Sequence, residues 1–172
     1  FVEIELAEPM EVEKAALALD AALPRGIRVL AADAVDTHHA ALMSQAAGAS
    51  YRVTLPYSAD VSAAVAEFNA APELLFKKAA PKTKAKFKEI DVKFYIPQLT
   101  AEQTETETIF SFDCKITPTG SMKAVDLLNA LNEQYGLALP VEMADIERLR
   151  LYRNNKNGKP IPMLNSDAVT LG

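Results

Sequence analysis

The chain has 172 residues and a formal net charge of −5, and its hydrophobic (49%) and charged (24%) fractions are typical of globular proteins. No apolar run approaches the roughly 20 residues of a membrane-spanning helix, so we expect no membrane partner. The lone Cys114 excludes an internal disulfide framework and a cysteine-held iron–sulfur cluster, and it favours a reducing compartment such as the cytoplasm.

The first 35 residues predict a strand, a helix and a second strand. FVEIEL alternates apolar and acidic residues, as a half-buried strand does. The following EVEKAALALDAAL places apolar residues on one helical stripe that ends before Pro24, and IRVLAADAV is typical of a strand. Residues 36–49 predict a short helical connector, with Thr37 as its N-cap and Gly48 just past its end.

Residues 50–153 predict a second unit that is complete. YRVTLP, ELLFKK, KEIDVKFYI, TIFSFDCKI and IERLRLYR indicate strands, whereas the polar PQLTAEQTETE indicates a loop. ADVSAAVAEFNAA and MKAVDLLNALNEQY indicate helices, the second of which ends at Gly136. If KEIDVKFYI and TIFSFDCKI count as one interrupted strand, the order is strand, helix, strand, strand, helix, strand, which is that of a ferredoxin-like split βαβ unit.

We therefore predict an α+β fold whose antiparallel sheet carries its helices on one face. It contains one complete ferredoxin-like unit, at residues 50–153, and one partial unit, at residues 1–35. Residues 36–49 connect the two units, and residues 154–172 predict an irregular tail without periodicity.

Half of the twelve lysines lie within one stretch of twelve residues that contains no acidic residue. Four of them, at positions 82 to 88, alternate, so in an extended chain their ammonium groups lie on one side. Phosphate backbones neutralise such a row with release of counterions. The alternative is a solvated loop whose lysines protect a sheet edge from aggregation. We expect an exposed arm that binds anions, formed by Lys77, Lys78, Lys82, Lys84, Lys86 and Lys88.

The face of the sheet opposite the helices is the second candidate surface. If Val53, Phe94, Phe112 and Leu149 point at the helices, the strand period places basic and tyrosine side chains on the other face. Cations that contact phosphates and rings that stack on bases are typical of RNA-binding sheets. An ordinary polar sheet face is the alternative. The predicted residues of the open face are Lys93, Tyr95, Arg148, Arg150 and Tyr152, beside Arg52 and Lys115, with Asp91 and Asp113 diluting their charge.

No catalytic or metal-binding motif is present. The sequence lacks the glycine-rich phosphate loops, G-x-S-x-G and H-E-x-x-H. His38 and His39 are adjacent, and neighbouring positions do not share a helix face that could chelate a metal ion. Cys114 has the inward parity of its strand, where a buried unreactive thiol is typical. We therefore expect no cofactor, no metal site and no catalytic residue.

KEIDVKFYI at Lys88–Ile96, preceded by its lysines, resembles the signature stretch of the bacterial radical-SAM-linked domain of unknown function. FVEIELAEPMEVEKAALALDAALPRGIRVLAA resembles that family's middle segment, and IERLRLYR resembles its closing strand. These segments follow the family's order, and the resemblance covers most of residues 1–153. Family members begin with a further segment carrying SHLDL-like and GFNPHP-like motifs, which this sequence lacks, so the resemblance implies a fragment.

The resemblance also implies an accessory role, because members of that family are fused to, or encoded beside, radical S-adenosylmethionine enzymes. Our first hypothesis is therefore a non-catalytic cytoplasmic module that binds RNA or presents substrate to a radical SAM enzyme. A protein–protein scaffold that docks the radical enzyme without nucleic acid is one alternative, and a small RNA-processing enzyme is another. The sequence predicts no particular oligomeric state.

Overall fold

A computed structural model describes residues 1–36, 38–79, 86–165 and 167–171. In chain order its elements are α1 (Val12–Ala22), β1 (Ala31–Ala32), α2 (Leu42–Gln45), β2 (Ala46–Pro56), α3 (Ser62–Ala70), β3 (Leu75–Ala79), β4 (Phe87–Asp91), α4 (Val92–Tyr95), β5 (Leu99–Gln103), β6 (Glu107–Thr117), β7 (Gly120–Ser121), α5 (Ala124–Tyr135), a 3₁₀ turn (Val141–Met143), β8 (Asp145–Asn154), β9 (Pro160–Pro162) and β10 (Val169–Thr170).

The largest sheet has the strand order β5–β6–β2–β8–β9, and each neighbouring pair is antiparallel. Strand β7 pairs with the end of β6, while β3 with β4 and β1 with β10 form two separate ladders. Along the chain, β2, α3, β5, β6, α5 and β8 follow the order strand, helix, strand, strand, helix, strand. The predicted α+β class with an antiparallel sheet is confirmed.

The core lies between one face of this sheet and the helices α3 and α5. Val53 of β2 is paired with Phe110 of β6, and both side chains are fully buried. They belong to one apolar cluster with Phe68 of α3 and Leu127 of α5. Burying a large apolar side chain of this kind contributes about 1.5–3 kcal/mol, so this layer defines the register of the central strands.

Two predicted elements between residues 84 and 103 differ from the structure. KEIDVKFYI is not one strand, because after β4 the Asp91 carboxylate accepts a hydrogen bond from the Lys93 amide (3.0 Å) and caps the helical turn α4. The polar tract predicted as a loop contains the edge strand β5. The Gln103 side chain of β5 points inward, where it donates a hydrogen bond to the Thr108 hydroxyl and accepts one from the Val61 amide. These hydrogen bonds offset the cost of removing the side-chain amide from water.

The N-terminal third also departs from its prediction. FVEIEL contributes no strand, because no neighbouring strand offers it a ladder, and Ile4, Leu6 and Ile27 are exposed. The second predicted strand shortens to β1, which pairs with β10 in the segment predicted as an irregular tail. The predicted N-cap Thr37 lies outside the described residues, and the connector helix is reduced to α2.

The end of α5 is as predicted, since Gly136 adopts the left-handed conformation (φ 64°) that closes a helix without a Cβ penalty. Gly48, predicted to follow a helix, lies instead within β2. Among the helices that the structure describes, none has the length and apolar character needed to cross a membrane.

Candidate nucleic-acid interface

The lysine-rich part of the chain contains a two-stranded hairpin formed by β3 and β4, whose register pairs Leu75 with Asp91 and Ala79 with Phe87. Because paired residues share a face, this register gives the hairpin two different sides. The inner side carries Phe76, Lys78, Lys88 and Ile90, and the outer side carries Leu75, Lys77, Ala79, Phe87, Glu89 and Asp91.

The inner side attaches the hairpin to the body of the protein. Phe76 is buried and Ile90 packs against the same apolar cluster as the helices. At the base, the Val92 amide donates to the Leu74 carbonyl (2.8 Å) and the Leu74 amide donates to the Asp91 carboxylate (3.1 Å). The base of the hairpin is therefore fixed, and its outer side faces solvent.

Lys78 differs from the other described lysines of the hairpin. Its ammonium group donates to the Asp126 carboxylate of α5 at 2.5 Å, and both side chains are largely shielded from solvent. Lys78 also lies directly opposite Lys88, and Asp126 offsets the repulsion of this like-charged pair. The expectation that Lys78 is a free anion-binding residue is therefore corrected, because its charge is used inside the protein.

Lys77, Lys86 and Lys88 are exposed, as predicted for the arm. Lys77 lies opposite Glu89 on the outer side, whereas none of the three has a carboxylate within ion-pair distance in the part of the chain that the structure describes. Lys82 and Lys84 lie outside the described residues. The described hairpin thus presents three ammonium groups to solvent.

Lys93 and Tyr95, predicted for the open sheet face, lie on α4 instead. The Lys93 ammonium donates to the carbonyls of Phe68 (2.9 Å) and Pro97 (2.6 Å) and lies 4.4 Å from the centroid of the Phe68 ring. Burial lowers the pKa of Lys93, and the nearby Asp91 only partly opposes this. Tyr95 is 9% exposed and belongs to the core. Both predictions fail because a helical turn replaces the two-residue period of a strand.

Arg148, Arg150 and Tyr152 were predicted to share one face of β8. The register places Arg150 opposite Ser50 but Arg148 opposite Tyr51, so Leu149 is an extra residue on the β8 side. A bulge of this kind shifts the alternation of side chains, and Arg148 consequently lies on the other face from Arg150. All of these arginines are exposed, yet they do not form one patch.

The open face is mixed in charge rather than basic. By register it carries the cations Arg52, Lys115 and Arg150 and the anions Glu102, Asp113, Asp145 and Glu147. Arg52 lies 3.9 Å from Glu147, and the Ser50 hydroxyl donates to the Asp113 carboxylate at 2.5 Å. Such a face has little net attraction for a polyanion.

Tyr152 is packed onto the sheet and is not free to stack on a base. Its ring lies over Gly48, where an added Cβ would approach Tyr152 Cε2 to 2.7 Å. Burial, with further contributions from Asp113 and Cys114, raises the pKa of the Tyr152 phenol, so it remains a neutral hydroxyl at neutral pH. Gly48 is required here because the ring approaches the strand closely.

Two exposed aromatic residues were missed by the sequence reasoning. Phe87 is 60% exposed on the outer side of the hairpin. Phe94 is half exposed on α4, with the Lys115 ammonium 5.4 Å from its ring centroid, although it was predicted to face the helices. The sequence pattern does indicate the exposure of Phe87, because its parity within the strand is that of Glu89 and Asp91 and not that of the partly buried Ile90.

Cys114 and His39 have structural contacts in the part of the chain that the structure describes. Cys114 is buried as expected, and burial raises the pKa of its thiol. His39 contacts the Glu3 carboxylate through Nε2 (2.7 Å) and the Asp36 carbonyl through Nδ1 (2.8 Å), which ties the N-terminal segment to the connector. Within the described ranges, no three His, Cys, Asp or Glu side chains are grouped closely enough to hold a metal ion.

Neither the curated proteins nor the solved structures include a significant match to this chain. A family profile described as "Uncharacterized protein conserved in bacteria (DUF2344)" matches residues 1–127, a range that contains the whole β3–β4 hairpin. Because this match covers more than half of the chain, the protein belongs to the DUF2344 family.

Proposed function

We propose that this chain is an accessory module that binds RNA through the β3–β4 hairpin. The proposal rests on the exposed ammonium groups of Lys77, Lys86 and Lys88, which have no ion-pair partner among the described residues, on a hairpin whose base is fixed to the core. Because the backbone of the hairpin is fixed to the core, its lysines lose little conformational entropy when they contact phosphates, and this favours binding.

The overall charge of −5 does not oppose this role. At physiological ionic strength the Debye length is about 8 Å, so acidic residues farther away than this are largely screened. A ligand near the hairpin therefore responds to the local lysines. The open sheet face has both signs of charge, and for this reason we assign the binding to the hairpin and not to the sheet.

The partner of the module, in this proposal, is a radical SAM enzyme to which it presents RNA. The resemblance of KEIDVKFYI and its preceding lysines to radical-SAM-linked proteins supports this partner.

The test is a filter-binding series against bulk tRNA at increasing salt. Each phosphate contact on a single strand contributes about −0.7 to the slope of log K against log salt, so Gln at positions 77, 86 and 88 should reduce the slope by about 2. A matched control replaces Lys123, Lys156 and Lys159, which are exposed elsewhere, and should leave the slope unchanged. No retention at low salt, or an equal effect of both triple variants, would exclude the proposed function.

A second candidate function is supported by a different region. The N-terminal segment exposes Ile4, Leu6, Ile27 and Leu30, which is the kind of apolar surface that protein interfaces cover. A scaffold that docks the radical enzyme through this segment would bind it with little dependence on salt. Co-purification with the co-expressed enzyme, lost when Ile4 and Leu6 are changed to Ser but kept in the lysine variant, would favour the scaffold.

A further inference from the structure

Phe87 is the feature of the hairpin that electrostatics does not explain. It lies on the outer, polar side of β4, and 60% of its surface is exposed. Covering a phenylalanine side chain is favourable, so a ligand that covered this ring would gain binding free energy. Its nearest chain neighbours, Lys86 and Lys88, are both exposed cations.

The register adds a third cation to this group. Phe87 is paired with Ala79, so Lys77 is its diagonal neighbour on the same outer side. Diagonal neighbours across two strands lie within reach of a long side chain. Lys77 is therefore the described cation that shares the outer side with the ring, whereas Lys88 has the inner parity and Lys86 immediately precedes β4.

We infer that the hairpin binds single-stranded rather than duplex RNA, with one base stacked on the ring of Phe87. This inference rests on the proposed function and names the form of RNA that the site accepts. In an A-form duplex the bases are stacked on one another and closed to side chains, whereas an unpaired base can lie on an aromatic ring. Lys77 on the same side, together with Lys86 and Lys88 next to the ring in the chain, then contacts the phosphates that flank that base.

The contribution of the ring is limited to one base. Phe76 is buried, so in the described part of the hairpin only Phe87 offers an open aromatic face, and the half-exposed Phe94 lies outside the hairpin on α4. Loss of one stacked base weakens binding by about 5- to 150-fold. The lysines provide the rest of the affinity and all of its salt dependence.

The experiment measures fluorescence anisotropy with the whole chain and a labelled unstructured RNA of about ten nucleotides, either alone or annealed to its complement. The variant Phe87→Leu keeps an apolar side chain but removes the stacking face, and Phe87→Trp restores that face. We expect Phe87→Leu to weaken single-strand binding by about 5- to 150-fold, Phe87→Trp to bind as the parent does, and duplex binding to be weaker and unchanged by both.

Two controls have matched exposure. Phe1 is also 60% exposed but lies among acidic residues, and Leu75 is 52% exposed on the same side of the hairpin without an aromatic ring. Phe1→Leu and Leu75→Ala should each change the affinity less than about twofold, as expected for exposed side chains outside the contact. All variants are checked by circular dichroism for unchanged melting.

The outcomes separate the inference from the proposed function. RNA binding that depends on the lysines but is equal for Phe87→Leu and the parent overturns the inference and leaves the proposed function in place. Duplex binding as tight as single-strand binding also overturns the inference. Absence of any RNA binding overturns both, and an effect of Phe87 on enzyme docking alone would then assign the ring to a protein interface.

Discussion

Two regions of the molecule expose apolar side chains, and they differ in charge and in attachment. The N-terminal segment, residues 1–36, contains eight acidic and three basic residues, whereas residues 75–91 contain six lysines and two acidic residues. Phe1 and Phe87 are equally exposed in these opposite surroundings. The difference shows that exposed apolar area alone does not identify a ligand, because the two regions surround it with opposite net charge.

The two regions are also held in different ways. The hairpin is attached by an apolar side that enters the core through Phe76. Of residues 1–36 only Ala16 is buried, and the segment is held mainly by polar contacts. Glu3 accepts from His39 Nε2 and from the Leu42 amide (2.8 Å), and Asp33 accepts from the Asn165 side chain (2.7 Å). The N-terminal segment should therefore separate from the body at a lower cost than the hairpin.

The largest expected effect tests this difference in attachment. Phe76→Ala removes the buried ring of the hairpin and should cost about 3 kcal/mol of unfolding free energy, since large-to-small core changes lose both transfer energy and packing. Leu17→Ala, an exposed change in α1, should cost less than about 0.5 kcal/mol. Urea denaturation of both variants measures the difference. Equal losses would mean that the two regions are held alike.

A smaller effect is expected for the ion pair that joins the hairpin to α5. Asp126→Asn leaves the partly buried Lys78 without its partner, and it should cost about 1–2 kcal/mol, between the values for exposed and fully buried pairs. The exposed pair of Arg52 and Glu147 is the control, and Glu147→Gln should cost less than about 0.5 kcal/mol. Lys78→Met should leave the RNA affinity nearly unchanged. A loss of affinity as large as that of Lys77→Gln would show that Lys78 contacts RNA.

A polar contact inside the N-terminal segment should contribute stability that is lost in acid. The pKa of Asp20 is lowered, chiefly because its carboxylate accepts from the Val29 amide (2.8 Å) and secondarily because of Arg28. A lowered folded-state pKa contributes stability above the unfolded value of about 3.9, and this is lost as the pH falls through the folded value. Carboxyl carbon shifts should show Asp20 titrating below that value. Arg28→Gln should raise the pKa of Asp20 only part of the way to its unfolded value. A full return to that value would contradict the dominant role of the hydrogen bond from the Val29 amide.

The sequence predicted the elements whose apolar faces are covered by the core. Strands β2 and β6 and helix α5 follow their hydrophobic periods because Val53, Phe110 and Leu127 are fully buried. It failed where a local contact or a partner decides the structure. The cap at Asp91 ended a strand that alternation alone would continue, and FVEIEL has the pattern of a strand but no neighbour to pair with.

The candidate site was predicted in part. The exposed lysines follow from the cost of burying an unpaired charge, and composition alone reveals them. The pairing of Lys78 with Asp126 joins residues far apart in the chain, and the bulge at Leu149 depends on the register with β2. Neither is visible in one sequence, which is why Lys78 and Arg148 were assigned to binding surfaces that they do not join.

The smallest expected effect concerns the apolar surface of the N-terminal segment. Leu30 is 75% exposed, and its carbonyl accepts a hydrogen bond from the Leu171 amide (2.9 Å) that is retained in any substitution. Leu30→Ser should therefore change the unfolding free energy by less than about 0.5 kcal/mol, as should Leu75→Ser on the hairpin. Urea denaturation and sedimentation velocity, both at several protein concentrations, measure this. A loss above about 1 kcal/mol for Leu30→Ser alone, with a lower sedimentation coefficient, would show that a second copy covers this segment in solution, because only burial makes such a change costly.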